Sequence, residues 1–314
     1  MGSEMCIRDR SYGYGFGIGN YGGTITGVAQ TTLNGALLAD TAGTGGSGTA
    51  VTVVSTTGFD AAGTISDANS SNFVEGDEVL VTGYDMGMNT PGGFGEFINV
   101  PANWVVKKPS ALTSIEAMSI GTAGLTAAAS VLKIQESSQE SDLPVLVSGA
   151  TGGVGSIGVM LMSKLDKEVT ALTGKSSSAD FLKSIGAKNV ILRDDFLEGP
   201  VKPMERALFS SAIDTVGGNV LSKMLTQISP HGVVACCGNV AGIEVNTTVF
   251  PFILRGITLA GIDSAESSLE FKISVWKKFA NEWKLDLSPI IKVVTKENLQ
   301  QEIDLILQGL SLIH

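Results

Sequence analysis

Cysteine and histidine are scarce in this chain of 314 residues, which has three Cys and two His. Cys236 and Cys237 are adjacent and Cys6 is far away, a spacing that fits neither a disulfide framework nor a zinc site. The simplest interpretation makes the adjacent pair reduced, buried thiols on a strand. His231 stands in a Pro-His-Gly turn, where we expect a surface position and not an acid catalyst. The sequence therefore predicts no metal site.

Positive charge is also sparse. The chain has 21 Lys and Arg against 31 Asp and Glu, a formal net charge of −10 at pH 7, and no Lys or Arg occurs between Arg10 and Lys107. A nucleic-acid partner is unexpected, because it would need a basic face. No apolar run approaches the roughly 18 residues of a membrane span, and no signal peptide is evident. We therefore expect a cytoplasmic protein that contacts neither nucleic acid nor membrane.

Residues 1–57 differ in composition from the remainder. Between residues 11 and 57 the only charged residue is Asp40, and Gly, Thr and Ala dominate. Residues 49–57 are rich in β-branched side chains, as in a strand. We treat residues 1–57 as an atypical, low-complexity segment, and we hypothesise that the reading frame is a chimera joined near residues 58–63.

The pattern becomes enzyme-like from residue 58. In residues 58–125, short strands at 78–82 and 91–101 are separated by Gly and Pro turns, which predicts a small β domain. Residues 114–132 carry apolar side chains at helical spacing and are interpreted as a helical crossover. We expect a second domain at 126–265, and a return of the chain to the first domain over residues 266–314.

Strand-like and helix-like segments alternate in the second domain. This alternation predicts an α/β fold with a parallel sheet covered by helices on both faces, the doubly wound Rossmann architecture. The predicted strands are 145–147, 168–173, 189–192, 212–215, 233–236 and 258–262. The predicted helices are 154–164, 179–185 and 220–227, followed by 268–283 and 296–307.

The first of these strands runs into a turn that reads Ser148-Gly-Ala-Thr-Gly-Gly-Val-Gly, and a helix follows. Strand, glycine turn and helix are the context that a dinucleotide-binding loop requires. Gly152 and Gly153 let backbone N–H groups approach a pyrophosphate, and Gly155 lets the helix pack close to the strand. The N-terminus of the helix then favours the phosphate charge.

The residues after the second strand bear on the choice of cofactor. A NAD site would place Asp or Glu about 20 residues beyond the glycines. Here Thr173 is followed by Gly174, Lys175 and three serines. A cation and hydroxyl groups suit a ribose phosphate, so NADPH is favoured over NADH. The alternative for Lys175 is a solvated loop residue. Arg193 is a second candidate cation for the adenine or the phosphate, and its alternative is a surface position beside two aspartates.

Several further motifs occur in a fixed order along the chain. They are Gly58-Phe-Asp-Ala-Ala-Gly-Thr, Glu75-Gly-Asp-Glu-Val-Leu-Val-Thr-Gly, Gly92-Gly-Phe-Gly-Glu-Phe, Ile120-Gly-Thr-Ala-Gly-Leu-Thr-Ala, Ile213-Asp-Thr-Val-Gly-Gly, Pro251-Phe-Ile-Leu-Arg and Gly261-Ile-Asp-Ser. With the glycine turn, they resemble the zinc-free, quinone-oxidoreductase-like branch of the medium-chain dehydrogenase/reductase superfamily. The last two motifs are most similar to those of its acrylyl-CoA reductase subgroup.

The resemblance implies a GroES-like catalytic β domain, incomplete in this chain, beside the Rossmann domain. It implies dimerisation through a sheet edge near residues 258–262. The implied reaction is NADPH-dependent reduction of an α,β-unsaturated acyl-CoA by hydride transfer to the β-carbon. The implied cofactor contacts are Thr151, Gly152, Gly153 and Val154 at the pyrophosphate, Thr173, Gly174 and Lys175 at the ribose phosphate, Asn239 after the fifth strand, and Ile253 and Ser264 near the nicotinamide.

The chain departs from this family at both ends. The family's Asn-Tyr-Lys-Asp stretch is matched only by Leu33-Asn34-Gly35-Ala36, and the family's closing strand is not found after Gly309. No catalytic side chain is assigned. Two alternatives stay open: an NADPH-dependent quinone or enone reductase on the same scaffold, and a catalytically impaired NADPH-binding chimera. For Ile253 the alternative is a core aliphatic position, and Asp214 is interpreted as a structural cap.

Overall fold

The computed structural model describes residues 49–56, 58–68, 72–137, 141–200, 202–295 and 298–307. Residues 1–48, which carry most of the chimera hypothesis, lie outside the described residues. The strands are β1 (Thr49–Thr56), β2 (Asp60–Asp67), β3 (Glu78–Thr82), β4 (Phe97–Val100), β5 (Val105–Lys107), β6 (Val145–Ser148), β7 (Val169–Thr173), β8 (Asn189–Leu192), β9 (Ala212–Asp214), β10 (Val233–Cys236) and β11 (Thr258–Gly261). The helices are α1 (Ser114–Ser137), α2 (Gly153–Lys164), α3 (Ala179–Ser184), α4 (Arg193–Leu197), α5 (Gly218–Thr226), α6 (Phe250–Arg255), α7 (Leu269–Ala280) and α8 (Leu299–Leu307).

The first five strands form an antiparallel sheet in the order β4-β1-β2-β3-β5. In it β1 lies between β2 and β4, with Val51 opposite Ile65 on one side and Ile98 on the other. These three side chains are buried in one apolar cluster. The segment 49–56, which its composition assigned to the atypical N-terminal segment, therefore pairs inside this sheet. The predicted boundary between residues 57 and 58 falls in the β1–β2 connection.

The other six strands form a parallel sheet in the order β11-β10-β9-β6-β7-β8. The order reverses between β6 and β9, which is the switch point of a doubly wound fold. The Rossmann prediction is confirmed, and each predicted strand of this sheet agrees with the structure to within one residue. Strand β9 ends at Asp214, one residue early, because Thr215 begins a turn.

Helix α1 connects the two sheets and is broken at Gly121, whose φ of 46° and ψ of −156° are not helical. Residues Ser114–Glu136 are long and apolar enough to cross a membrane, so the expectation that no apolar run approaches that length is wrong. However, 61% of that apolar window is buried inside the protein. The helix packs against α2, β2 and β10, as the core helix of a globular protein does.

Helix α7 returns the chain to the first sheet. Its N-cap is Ser268, whose side chain accepts a hydrogen bond from Phe271 N. Trp276 and Phe279 are buried in the cluster that also contains residues of α1, of β6 and of β3. The two sheets thus share one continuous core, and the segment between β11 and α7 lies at their junction. The predicted helix 268–283 is shorter in the structure and ends at Ala280.

Candidate cofactor site

The glycine turn after β6 brings its backbone into direct contact with helix α2. Gly149 has a φ of +56°, and Gly152 N donates to Gly149 O at 2.8 Å. A Cβ on Gly155 would overlap Gly149 O and lie 2.8 Å from Ala150 Cα, so only glycine fits there. Gly152 is the N-cap of α2 and its first turn has no side-chain cap. The N–H groups of that turn are the donors that a phosphate would use.

A buried aspartate connects the two central strands behind this turn. Asp214 Oδ1 accepts from Ser148 Oγ at 2.7 Å, and Oδ2 accepts from Gly217 N at 2.9 Å. Thr215 N in turn donates to Ser148 Oγ at 3.0 Å. Burial raises the pKa of Asp214, against the lowering effect of these hydrogen bonds. Asp214 therefore caps the turn after β9, as interpreted from the sequence.

Arg193 lies against Gly174, the residue next to Lys175, at the carboxyl end of β7. Lys175 N donates to Thr173 Oγ1 at 3.1 Å, and a Cβ on Gly174 would lie 3.3 Å from Arg193 Nη1. The Arg193 guanidinium therefore covers Gly174 beside Lys175. Burial lowers the pKa of Lys175. Arg193 also forms a 3.3 Å ion pair with Asp194, so both interpretations of Arg193 remain compatible with its position.

The remaining predicted site residues follow β10 and β11. Asn239 is half-buried in a loop whose Gly238 packs directly on the backbone of Thr215. Ser264 is buried three residues beyond β11. Ile253 lies on α6 with 68% of its surface exposed, so the core-aliphatic alternative is wrong. The predicted contacts thus follow the carboxyl ends of β6, β7, β8, β10 and β11, while their roles stay predictions.

A chain of polar residues at the junction of the sheets was not found from the sequence. Asp60 on β2 binds Thr122 at the break in α1, through Thr122 N at 2.8 Å and Thr122 Oγ1 at 2.6 Å. Thr126 Oγ1 donates to Thr122 O at 2.8 Å and lies 2.5 Å from Ser264 Oγ. The hydrogen bonds therefore run from the small sheet to a predicted cofactor residue. The Gly-Thr pair inside an apolar helical pattern was the signal available for it.

A buried lysine, Lys272, lies beside this series of hydrogen-bonded polar residues. Lys272 Nζ donates to Thr82 O and Ala265 O, both at 2.8 Å, and lies 3.1 Å from the centroid of the Tyr84 ring. Burial lowers the pKa of Lys272 to about 8, against the opposing effect of Asp60, Asp263 and Glu266. This lysine was not singled out from the sequence, although residues 272, 275, 276 and 279 share one helical face and this spacing was the signal available for its burial.

Comparison with known proteins shows the family to which this protein belongs. The family described as zinc-binding dehydrogenase matches residues 153–281. The putative quinone oxidoreductase YhfP of Bacillus subtilis is 42% identical over 241 residues, which cover 76% of this chain and 72% of that protein. The probable acrylyl-CoA reductase AcuI of Escherichia coli is 41% identical over 222 residues, covering 70% and 68%. The chain belongs to the medium-chain dehydrogenase/reductase superfamily, in its quinone oxidoreductase and acrylyl-CoA reductase branch.

Solved structures of this branch share the fold. The yhdH oxidoreductase from Salmonella enterica, in complex with NADP, superposes with a TM-score of 0.80 at 34% identity, covering 84% of this chain and 88% of that one. Bacillus subtilis yhfP, with NAD bound, gives 0.80 at 37% identity and the same coverage. The recognition made from the motifs is confirmed.

Binding of a metal ion by this medium-chain dehydrogenase/reductase would require a cluster of suitable side chains. Across the part of the chain that the structure describes, no group of three or more His, Cys, Asp or Glu could hold a metal ion. Cys236 ends β10 and Cys237 follows it, and both are half-buried instead of fully buried. Burial and the charge of Asp214 raise the pKa of Cys236 to about 11 and also raise that of Cys237. His231 is exposed, as expected.

Proposed function

We propose that this protein is an NADPH-dependent reductase of an α,β-unsaturated acyl-CoA, similar to acrylyl-CoA reductase. The observation that carries the proposal is the site at the carboxyl edge of the parallel sheet. There the uncapped N-terminus of α2 lies after β6, and the cations Lys175 and Arg193 lie after β7 and β8. Relatives named acrylyl-CoA reductase, at 41% and 36% identity, support the choice of substrate.

The residues present fit both halves of NADPH, the adenosine half with its phosphates and the nicotinamide half. The N–H groups of Gly153 and Val154 at the start of α2 suit the pyrophosphate. Lys175 and Arg193 suit the extra phosphate on the adenosine ribose, since both are cations and the five residues directly after β7, 174–178, include no carboxylate. A dinucleotide crosses the sheet at the switch point, so its nicotinamide half belongs over β9, β10 and β11. Asn239 and Ser264 are the predicted polar groups there.

When bound, NADPH supplies the hydride that reduces the carbon–carbon double bond. The protein's own task is to hold both reactants in the reactive geometry and to stabilise the negative charge that develops on the thioester oxygen. The Ser148–Asp214 hydrogen bond serves the first purpose, because it joins the glycine turn after β6 to the turn after β9. The Asp60–Thr122 hydrogen bond fixes the break in α1, from which Thr126 contacts Ser264. We assign no residue to the second.

A quinone or enone reductase is the second candidate, and it is favoured by the 42% identity to the putative quinone oxidoreductase YhfP. A catalytically impaired NADPH-binding chimera is the third. The test follows NADPH oxidation by absorbance with acryloyl-CoA, with a quinone and with no substrate. Oxidation that depends on acryloyl-CoA supports the proposal. Oxidation with the quinone alone selects the second candidate, and NADPH binding without any turnover selects the third.

We further propose that the protein is a cytoplasmic homodimer formed through β11. In the described part of the chain, β11 pairs only with β10, which leaves its outer edge open. Leu259 on this strand is exposed, and so are the apolar side chains Ile243, Val249, Ile253 and Leu254. An open strand edge that carries an exposed apolar side chain is suited to pairing with a second copy.

A further inference from the structure

The hydroxyl groups of Thr126 and Ser264 form a buried pair at the junction of the two sheets. Their oxygens lie 2.5 Å apart although the residues are 138 positions apart in the sequence. Ser264 is 7% exposed and Thr126 is 8% exposed. Thr126 lies on α1, in the half that follows the break at Gly121, whereas Ser264 follows β11.

The direction of this hydrogen bond can be assigned by counting protons. A hydroxyl has one proton to donate and two lone pairs to accept with. Thr126 Oγ1 also lies 2.8 Å from Thr122 O, a carbonyl that can only accept. The Thr126 proton is therefore used on that carbonyl. In the bond between the two hydroxyls, Ser264 must then be the donor and Thr126 the acceptor.

This assignment leaves Ser264 Oγ with lone pairs and no proton for a further partner. Within the described residues, Ser264 Oγ makes no hydrogen bond other than the one to Thr126. A ligand that meets this oxygen must therefore bring a hydrogen-bond donor. The direction of the hydrogen bond between Ser264 and Thr126 depends on Thr122 O. This carbonyl is held in place because Asp60 accepts hydrogen bonds from both Thr122 N and Thr122 Oγ1.

The nicotinamide carboxamide carries such a donor, its NH₂ group, next to a carbonyl that can only accept. Ser264 lies beyond β11, in the half of the sheet opposite to Lys175 and Arg193, where the nicotinamide half of the dinucleotide belongs. We propose that Thr126 is a positioning residue, which holds Ser264 as a hydrogen-bond acceptor for the carboxamide NH₂ group. This inference rests on the proposed function, because it needs the dinucleotide to bind.

The test compares two cofactors that differ at this group. One is NADP⁺, and the other is its 3-acetylpyridine analogue, in which a methyl ketone keeps the carbonyl but has no NH₂. Dissociation constants are measured by calorimetry on the full chain. We expect the wild type to bind NADP⁺ about three to ten times more tightly than the analogue, the range for one hydrogen bond.

Variants then distinguish a role of Thr126 in positioning Ser264 from a general loss of structure. Thr126→Val removes the hydroxyl and should bring the ratio of the two constants close to one, whereas Thr126→Ser should restore the wild-type ratio. Ser264→Ala should also remove the discrimination. Ser130→Ala is the matched control, since Ser130 is a buried hydroxyl one turn further along α1 and bonds only to Thr126 O among the described residues. Its ratio should equal that of the wild type.

The outcomes are distinguishable. If the wild type and Ser264→Ala discriminate equally between the two cofactors, the inference is overturned while NADP⁺ binding still supports the proposed function. If Thr126→Val folds and keeps the wild-type ratio, Thr126 has no positioning role. If the wild type binds neither cofactor, the proposed function fails and this inference fails with it. Circular dichroism and thermal melting identify a variant that has not folded, and Ser264→Ala then decides.

Discussion

Asp60 accepts two hydrogen bonds from the single residue Thr122, one from the backbone N–H at 2.8 Å and one from the hydroxyl at 2.6 Å. The carboxylate therefore caps the second half of α1 from a strand of the other sheet. A Cβ on Gly121 would lie 2.5 Å from Asp60 Oδ2, so only glycine fits at the break in the helix while this carboxylate is in place. This contact joins the small sheet to the crossover helix.

Replacing Asp60 should destabilise the protein. Asp60→Ala leaves Thr122 N–H and its hydroxyl without this acceptor and removes a negative charge near the buried Lys272. We expect the free energy of unfolding to fall by about 2–4 kcal/mol, measured by urea denaturation. Asp142→Asn, at an exposed loop position, is the control and should change it by less than about 0.5 kcal/mol. Equal stabilities of the two variants would refute the role of Asp60.

Lys272 should make stability depend on pH in the alkaline range. Its pKa is about 8 in the folded protein against 10.5 for an ordinary lysine, so between these values the unfolded chain binds more protons. The free energy of unfolding then rises with pH across that window, by on the order of 2–3 kcal/mol. Below pH of about 8 both states are protonated and the contribution is flat.

The measurement compares urea unfolding of the wild type and Lys272→Met at several pH values. The cysteines titrate in both proteins, and burial raises the pKa of Tyr84 above its ordinary value of 10, so the difference between the two proteins over this window reports Lys272. We expect the wild type to gain stability relative to the variant from pH about 8 to about 10. A constant difference in the free energy of unfolding over that range would show that burial does not lower the pKa of Lys272.

The close approach of α2 to the glycine turn predicts the effect of a single methyl group. Gly155→Ala would push the helix away from Gly149 O, so the phosphate-binding N–H groups would move. We expect a loss of about 1–3 kcal/mol in stability and at least about tenfold weaker NADPH binding, measured by fluorescence titration. The control is Gly261→Ala, where no heavy atom lies within 4 Å of the added Cβ. Unimpaired binding by the Gly155 variant would contradict the assignment of the turn.

Local patterns predicted the parallel sheet well, because its strands are short buried runs separated by glycine turns and helices. The same patterns did not reveal that β1 belongs to the small sheet. Its place depends on pairing with β2 and β4, and a charge-poor composition does not indicate a pairing partner. In the site, the turn at Gly152 was predictable because strand, turn and helix are adjacent in the sequence.

The contact between Thr126 and Ser264 could not be predicted in the same way. It joins residues 138 positions apart, and it exists only because α1 passes from one sheet to the other. Lys272 is an intermediate case, since its spacing from Val275, Trp276 and Phe279 put it on the apolar face of α7. A lysine on such a face predicts burial, but the carbonyl groups that bind it come from distant segments.

The open edge of β11 predicts the oligomeric state. Leu259→Lys places a charge on the exposed edge strand and should convert a dimer to a monomer, as determined by sedimentation equilibrium. Val74→Lys is the matched control, because Val74 is an exposed apolar residue in the connection between β2 and β3, far in sequence from β11, and it should leave the mass unchanged. A Leu259 variant that remains dimeric would place the subunit contact elsewhere.

The two cations that follow β7 and β8, Lys175 and Arg193, predict the cofactor preference. Lys175→Glu replaces a cation near the ribose phosphate by an anion, so kcat/KM with NADPH should fall about tenfold to a hundredfold. The value with NADH, which has no phosphate there, should change little. Lys183→Glu is the control for net charge, since Lys183 is exposed on α3. An unchanged preference for NADPH in the Lys175 variant would refute its assignment.

Arg193→Ala separates the two interpretations of Arg193. If Arg193 contacts the phosphate, the variant should have a lower kcat/KM with NADPH. If Arg193 is only a surface partner of Asp194, kcat/KM should stay the same with both NADPH and NADH.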